Sequence, residues 1–310
     1  MKIKSFGQAL FISQLLLLAT FANAATSVLF IGNSFTYGHG SPVRYYRADT
    51  IKDLNLEGQG GVPALFKSFT QQVGLDYEVA LETRGGTGID WHLANKLTLI
   101  TQRPWDVVVA HGYSTLDLQK PGDPTKLVDT AKQLAVALQA KNPKVDLRLE
   151  ATFPRADETY GPKGAWFGKT IGDMAKDVRA GYDLAAKSHP AIKGVIPVGE
   201  AWTRAMDVGV ADNNSLDGID AGKLNLWTFD HYHASTSGYY LKALVVFGAL
   251  TLRDPRSLGG NECSGFELGL SVPQIKSLQQ VAYDQLAMSF ALQGVPLQNL
   301  ATEQPQRCQR

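Results

Sequence analysis

Three side chains from opposite ends of the sequence have the types that nucleophilic attack on a carbonyl carbon requires. Ser34 follows the apolar run 27–31, and Asp230 and His233 lie late in the chain. A serine hydroxyl becomes a competent nucleophile when a base takes its proton, and an imidazole oriented by a carboxylate is such a base. These residues predict a catalytic triad of Ser34, His233 and Asp230. The alternative is that Ser34 only caps a helix at a Gly-Asn-Ser turn.

The segment around His233 predicts how its imidazole is held. Asp230 precedes His233 by three positions, and Ser235 is a helix-capping residue directly after it. In a loop that turns into a helix, residues at this spacing can face each other, so that Asp230 fixes the imidazole tautomer. Alternatively, His231 and His233 are metal ligands or ordinary surface histidines. A hydrolytic metal site needs a third ligand, and no H-E-x-x-H or Cys/His cluster provides one, so we expect no metal and no other cofactor.

Two further segments could supply hydrogen-bond donors to a negatively charged oxygen. The glycine loop 84–90 includes Gly86 and Gly88, whose N–H groups are not shielded by a Cβ. The segment 110–114 offers the side chains of His111 and Ser114. The alternatives are a plain strand-to-helix turn for the glycines and local backbone hydrogen bonds for the two side chains.

Strand-length apolar runs alternate with segments of helical periodicity along most of the chain. This alternation implies right-handed βαβ crossovers and a parallel sheet covered by helices on both faces. We predict a flavodoxin-like three-layer α/β/α fold with a central parallel five-stranded sheet, ordered 2-1-3-4-5. Ligands bind such sheets beyond the carboxyl ends of the strands, where the winding reverses. The strands are expected at 27–31, 77–83, 106–110, 145–151 and 192–198, and the helices at 64–73, 127–138, 171–185, 240–248 and 273–290.

Two long segments, 39–61 and 155–169, interrupt this alternation, and loops of that length are usually functional or mobile. Aromatic residues in or near the segments expected at the crevice could stack on sugar rings, which would suit a glycan ester. The alternative is that most of these rings belong to the core. The residues concerned are Trp91, Trp105, Trp166, Trp202, Trp227, Tyr37, Tyr160 and Tyr232.

The first 24 residues have the pattern of a secretory signal peptide. Lys2 and Lys4 precede the apolar stretch 9–21, and Ala-Asn-Ala at 22–24 fits signal peptidase cleavage. The stretch is shorter than the roughly 20 apolar residues of a membrane span, although a retained N-terminal anchor is the alternative. We therefore expect a periplasmic or secreted protein with no membrane span after cleavage.

Charge and cysteine content restrict the partners. Lys and Arg number 30 against 29 Asp and Glu, and no basic block is present, so we expect no nucleic-acid partner and no anionic membrane surface. Cys263 and Cys308 are too far apart for a zinc motif, but in an oxidising compartment they could form a disulfide. The sequence leaves the oligomeric state open.

Taken together, the motifs resemble those of the SGNH, or GDSL-type, hydrolase superfamily. The first block is 28–35, with Asn33 and Phe35 in place of the commoner Asp and Leu, and the last is Asp-x-x-His-x-Ser-x-x-Gly at 230–238. The resemblance covers about residues 27–250. It implies a hydrolase domain at 25–252, followed by a helical extension at 253–310 that packs on the same domain.

The resemblance assigns roles residue by residue. It implies that Ser34 is the nucleophile, His233 the general base and Asp230 its orienting carboxylate. Gly88 best matches the glycine whose N–H binds the oxyanion together with the Ser34 N–H, and Gly86 is a close competitor. The superfamily's third donor is an Asn in a Gly-x-Asn block. This chain has Gly-Tyr-Ser at 112–114 instead, so Ser114 or His111 would take its place.

The function implied is an exported serine esterase that cleaves short-acyl esters, including carbohydrate O-acetyl groups, through an acyl-enzyme. The substrate is then a small-molecule or glycan ester. The same residues would serve a lipolytic esterase, a thioesterase or an enzyme that transfers an acyl group to a sugar. A non-catalytic glycan-binding protein that retains the fold is the alternative from another functional class.

Overall fold

Six parallel strands form one sheet in the computed structural model, which describes residues 25–293. The predicted signal peptide and Cys308 of the candidate disulfide lie outside the described residues. The strand order is β2-β3-β1-β4-β5-β6, so the three-layer fold and the order of the five predicted strands are confirmed. The strands are β1 (Thr26–Gly32), β2 (Lys52–Asp53), β3 (Tyr77–Thr83), β4 (Val107–Ala110), β5 (Asp146–Glu150) and β6 (Ile192–Ile196).

The sixth strand, β2, is the difference from the predicted five-stranded sheet. Lys52 and Asp53 pair in parallel with Ala80 and Leu81 at the sheet edge. Two polar residues carry no apolar run, so nothing in their local sequence distinguishes them from the long loop that contains them.

Helices cover both faces of the sheet because successive residues of each central strand point to opposite sides. Val28 and Phe30 of β1 join one apolar core with α2, α7, α8 and α10, whereas Leu29 and Ile31 join a second core with α3, α4 and α6. The helices are α1 (Ser34–Tyr37), α2 (Gly61–Gln72), α3 (Ile89–Ile100), α4 (Thr125–Gln139), α5 (Ala156–Thr159), α6 (Ile171–Ala186), α7 (Val198–Asp207), α8 (Thr236–Thr251), α9 (Cys263–Glu267) and α10 (Val272–Gln293).

The last described helix, α10, lies against the main core. Its residues Leu278, Ala282 and Leu286 are fully buried in the same cluster as α8. A Cβ on Gly248 of α8 would overlap the Leu286 side chain, so the glycine permits this close approach. Within residues 25–293, no helix combines the length and the apolar character needed to cross a bilayer.

Candidate active site

Ser34 is the first residue of α1, directly beyond the carboxyl end of β1. Asn33 caps this helix, because its Oδ1 accepts a hydrogen bond of 3.0 Å from the Phe35 N–H. The Ser34 hydroxyl is therefore not used as a cap. The turn needs glycine at position 32, since a Cβ there would overlap Thr36 Oγ1 and His111 Nε2. The cap and the glycine together hold the Ser34 side chain at the sheet edge.

A continuous hydrogen-bonded chain joins Ser34, His233 and Asp230. Ser34 Oγ lies 2.9 Å from His233 Nε2, and His233 Nδ1 lies 2.6 Å from Asp230 Oδ2. The other carboxylate oxygen accepts hydrogen bonds from the Thr228 hydroxyl at 2.6 Å and from the main-chain N–H groups of Tyr232 and His233. The carboxylate is thus fixed on both oxygens. The imidazole is oriented with Nε2 facing the serine.

The site's charges favour a neutral imidazole beside an ionised carboxylate. Burial would raise the pKa of Asp230, but hydrogen bonds from His233, Thr228 and the main chain outweigh it and hold the pKa well below its usual range. Burial lowers the pKa of His233, and electrostatic contributions from His39 and Arg155 lower it further, against the opposing effect of Asp230. His233 is therefore free to accept a proton near neutral pH.

Two side chains of α8 contact the main chain of the helix that Ser34 begins. The Tyr239 hydroxyl lies 3.1 Å from the carbonyl oxygens of Ser34 and His39. Lys242 Nζ donates to the Phe35 carbonyl at 2.7 Å and forms a fully buried ion pair with Glu150 Oε1, also at 2.7 Å. Burial raises the pKa of Glu150 and lowers that of Lys242, and the attraction between them opposes both shifts. The backbone that carries Ser34 is therefore fixed by buried contacts.

Asn33 connects the three loops that follow β1, β3 and β4. Its Nδ2 donates to the Thr87 carbonyl at 2.8 Å and approaches the Gly112 carbonyl at 3.4 Å. The loops named from the sequence therefore share one crevice, at the point where the strand order reverses.

Gly86 and Gly88 of the glycine loop differ in exposure and in the atoms that surround them. Gly86 is exposed, has a φ of 72°, and an added Cβ would meet no atom within 4 Å. Gly88 is buried, and the Tyr113 ring occupies the space where its Cβ would be. Of the two glycines, Gly86 is therefore the one that borders open space.

A buried chain of polar side chains supports this loop from behind. The Thr87 hydroxyl donates to the Arg84 carbonyl at 2.8 Å and lies 3.3 Å from His92 Nε2. His92 Nδ1 is hydrogen-bonded to Glu82, and the His92 and Glu82 side chains are fully buried. The loop conformation is thus coupled to the core of the sheet.

His111 and Ser114 follow β4 but have different surroundings. Both ring nitrogens of His111 are occupied, because Nδ1 donates to the Gly112 carbonyl at 3.0 Å and Nε2 accepts from the Thr36 hydroxyl at 2.7 Å. Burial, followed by the charge of Lys242, lowers the pKa of His111 well below its ordinary value. Ser114 Oγ accepts a hydrogen bond of 3.3 Å from Arg155 and donates to no acceptor within the described residues. Of the two, Ser114 keeps a donor available.

Arg155 and His39 belong to the site but were not identified from the sequence. Arg155 lies 3.7 Å from the centre of the Tyr232 ring, and this ring packs on His233 with a centroid distance of 4.2 Å. The His39 ring packs on His233 with its centroid at 4.4 Å. Their positions in the chain could have indicated them, because Arg155 lies just beyond β5 and His39 lies just beyond the helix that Ser34 begins.

The aromatic residues mostly follow the core interpretation. Among the tryptophans, only Trp91 is half-buried and near the crevice, while Tyr232 and Tyr160 are half-buried and Tyr37 is largely buried. The prediction that these rings could stack on a sugar is therefore limited to the half-buried ones. The buried tryptophans are Trp105, Trp166, Trp202 and Trp227. Over residues 25–293, no group of three or more His, Cys, Asp or Glu side chains is arranged to hold a metal ion.

Solved structures with a similar fold are distant in sequence. A DUF4886 family protein from Bacteroides uniformis superposes with a TM-score of 0.56 at 16% identity, covering 86% of this chain and 96% of that one. A candidate GDSL-like lipase from Parabacteroides merdae gives 0.50 at 15% identity, covering 74% and 99%. LAE5, an α/β hydrolase from the metagenome of Lake Arreo, gives 0.50 at 14%, covering 74% and 97%. No family model and no curated protein sequence matches the chain.

The fold and the strand order define the class of structure. The chain has the three-layer α/β/α fold of the SGNH (GDSL-type) hydrolases. The Ser34 loop, the glycine loop and the final Asp-x-x-His block lie together beyond the carboxyl ends of the strands, where the strand order reverses.

Proposed function

We propose that the protein is a serine esterase that hydrolyses short-acyl esters through an acyl-enzyme. The observation that carries the proposal is the hydrogen-bonded chain from Ser34 Oγ through the His233 ring to Asp230. A hydroxyl, an imidazole and a carboxylate in this order are the parts that acyl transfer needs.

The mechanism follows from this chain. His233 Nε2 takes the Ser34 proton as Oγ attacks the ester carbonyl carbon, and Asp230 stabilises the imidazolium that forms. Collapse of the tetrahedral intermediate breaks the ester C–O bond, and His233 gives its proton to the leaving alcohol. Water then attacks the acyl-enzyme with His233 as base, and the acid and free Ser34 are released.

The developing oxyanion needs fixed donors. We assign this role to the main-chain N–H groups of Ser34 and Gly86 and to the Ser114 hydroxyl. Gly86 is preferred over Gly88 because Tyr113 covers Gly88. Ser114 is preferred over His111 because both nitrogens of that ring are already bonded. Arg155 donates to Ser114 Oγ and so polarises the hydroxyl toward a negatively charged oxygen.

Polar surroundings of the triad support a small acyl group. The rings of His39 and Tyr232 pack on His233, and the Arg155 guanidinium lies over Tyr232. Such groups suit acetyl more than a long alkyl chain. An O-acetyl ester of a glycan or a small molecule is therefore the preferred substrate class. We further propose that residues 1–24 direct export to the periplasm or the medium.

Hydrolysis of 4-nitrophenyl acetate and octanoate tests the proposal. We expect the mature wild-type protein to prefer acetate, and Ser34→Ala to lose turnover on both esters. Preference for octanoate would replace the short-acyl proposal with a lipolytic one. Equal rates for the wild type and Ser34→Ala would exclude the serine mechanism and leave a non-catalytic binding protein.

A further inference from the structure

Two arginines beside the nucleophile helix have no acidic partner. Within residues 25–293, the guanidinium groups of Arg44 and Arg84 form no ion pair and donate no hydrogen bond to another side chain or carbonyl. Arg44 Nε is moreover buried without a hydrogen-bond partner. A buried donor without a partner is costly unless water or a ligand completes it.

Aromatic rings hold both guanidiniums in place without neutralising them. Arg44 Cζ lies 5.0 Å from the centre of the Tyr37 ring and 5.2 Å from that of Tyr45, and Arg84 Cζ lies 5.9 Å from that of Trp91. Stacking uses the flat face of a guanidinium and leaves its N–H edge for planar oxyanions. The two side chains therefore remain charged and able to donate.

Ring contacts of Tyr37 connect Arg44 to the catalytic residues. Tyr37 lies one helical turn after Ser34, and its ring contacts His39, which packs on His233. The Arg84 main-chain N–H donates to the Gly32 carbonyl at 3.0 Å, two residues before the nucleophile.

The charges of both arginines act on the Tyr37 hydroxyl. Burial raises its pKa, whereas the charges of Arg44 and Arg84 act on it in the opposite direction. A Cβ on Gly85 would lie 2.7 Å from this hydroxyl, so the loop that carries Arg84 reaches Tyr37 directly.

We propose that Tyr37, Arg44 and Arg84 form a subsite for an anionic group of the ester substrate, with carboxylate as the best fit. Arginine binds a carboxylate through two parallel N–H···O hydrogen bonds, and the Tyr37 hydroxyl can donate a third. This inference rests on the proposed esterase function and names its substrate class: an ester that carries a negative charge near the scissile bond.

Neighbouring residues provide matched controls. Arg47 lies on the Tyr46 ring at 5.4 Å, as Arg44 lies on Tyr37, but Glu267 neutralises Arg47 through hydrogen bonds of 2.6 and 3.1 Å. The negative charge of Glu57 acts on Tyr37. It would therefore oppose the binding of an anion at this subsite. Arg47→Gln should therefore leave the subsite unchanged, and Glu57→Gln should strengthen it.

The kinetic test compares anionic and neutral esters of matched shape. In the first arm the charge lies on the alcohol part, and 4-acetoxybenzoate is compared with 4-acetoxybenzamide. In the second arm the charge lies on the acyl part, and mono-4-nitrophenyl adipate is compared with its methyl ester. In one of the two arms, we expect kcat/KM for the anionic ester to exceed that of its neutral partner by about tenfold or more, as charged hydrogen bonds of this kind allow. The preference should decrease with added salt.

Four single variants test whether these side chains form the anion subsite. Arg44→Gln and Arg84→Gln should each bring the anionic-to-neutral ratio close to one while turnover of the neutral ester persists. Arg47→Gln should keep the wild-type ratio, and Glu57→Gln should increase it. A ratio near one in both arms for the wild type, or a preference that survives both Arg44→Gln and Arg84→Gln, would overturn the subsite.

A binding measurement distinguishes failure of the subsite proposal from failure of the esterase proposal. Calorimetric titration with 4-hydroxybenzoate and 4-hydroxybenzamide requires no turnover. If no ester is hydrolysed but the carboxylate binds more tightly than the amide, and Arg44→Gln and Arg84→Gln abolish this difference, the subsite stands and the esterase proposal falls. If neutral esters are hydrolysed but neither measurement shows a preference for the anion, the subsite falls alone.

Discussion

The side-chain amide of Asn33 donates a hydrogen bond of 2.8 Å to the main-chain carbonyl of Thr87. The residue before Ser34 thereby holds the glycine loop, while its Oδ1 caps the helix that Ser34 begins. The side-chain amide of Asn33 thus acts as both donor and acceptor, which a carboxylate at this position could not do.

Asn33→Asp separates these two functions. The carboxylate keeps the cap on the Phe35 N–H but cannot donate, and it would face the Thr87 carbonyl without a hydrogen. We expect a loss of about 1–3 kcal/mol in the free energy of unfolding, since a buried acceptor loses its partner. We also expect a lower kcat, because the glycine loop is released. Urea denaturation and ester kinetics measure the two effects, and an unchanged kcat would contradict the role of Asn33 in the loop.

The pH profile should report His233. Burial, His39 and Arg155 lower its pKa, so kcat/KM should rise with pH and reach half its maximum below the ordinary histidine value of about 6.5. His39→Gln removes a contribution that lowers the His233 pKa, so the midpoint should move upward. Asp230→Asn removes the group that raises the pKa, so the midpoint should move downward, with kcat reduced by roughly 10⁴. A midpoint that neither substitution moves would show that another group titrates.

Ser114 should contribute to kcat rather than to substrate binding. If its hydroxyl stabilises the oxyanion, Ser114→Ala should lower kcat by about 10²-fold with little change in KM. Ser114→Asn restores a donor at the position and should recover part of the loss. Steady-state kinetics on a neutral ester measure both variants. A loss confined to KM would assign Ser114 to substrate binding instead.

Substitutions in the buried ion pair between Lys242 and Glu150 should have non-additive effects on stability. Lys242→Met leaves the Glu150 carboxylate buried without its cation, which costs about 3–5 kcal/mol in unfolding free energy. The double variant Lys242→Met/Glu150→Met removes both charges and should be more stable than the single one. It still lacks the donor to the Phe35 carbonyl, so a residual loss of about 1–3 kcal/mol is expected. Urea denaturation of both variants measures the coupling, and equal stabilities would contradict it.

The sequence predicted the main strands because buried parallel strands consist of near-continuous apolar residues. It missed β2, whose two polar residues are defined only by pairing with β3. The helices predicted from the sequence also did not include α3 and α7. The α7 stripe was detectable, since its buried residues recur at helical spacing, whereas α3 buries too few residues to show one. The stripe consists of Val198, Ala201, Trp202, Ala205 and Met206.

The candidate site could be predicted where its residues belong to compact motifs. Ser34, Asp230 and His233 were named in this way, and the structure brings them within hydrogen-bonding distance. Arg44 and Arg84 belong to no such motif, and their significance depends on lacking a carboxylate in three dimensions. That property has no counterpart in local sequence.

Covalent labelling with a fluorophosphonate probe tests the central claim, that Ser34 is a nucleophile activated by His233. Intact-mass analysis and peptide mapping of the labelled protein locate the adduct. We predict one adduct on Ser34 in the wild type, none in Ser34→Ala and much slower labelling in His233→Ala. An unlabelled but folded wild type, or a Ser34→Ala variant labelled as strongly as the wild type, would contradict the account.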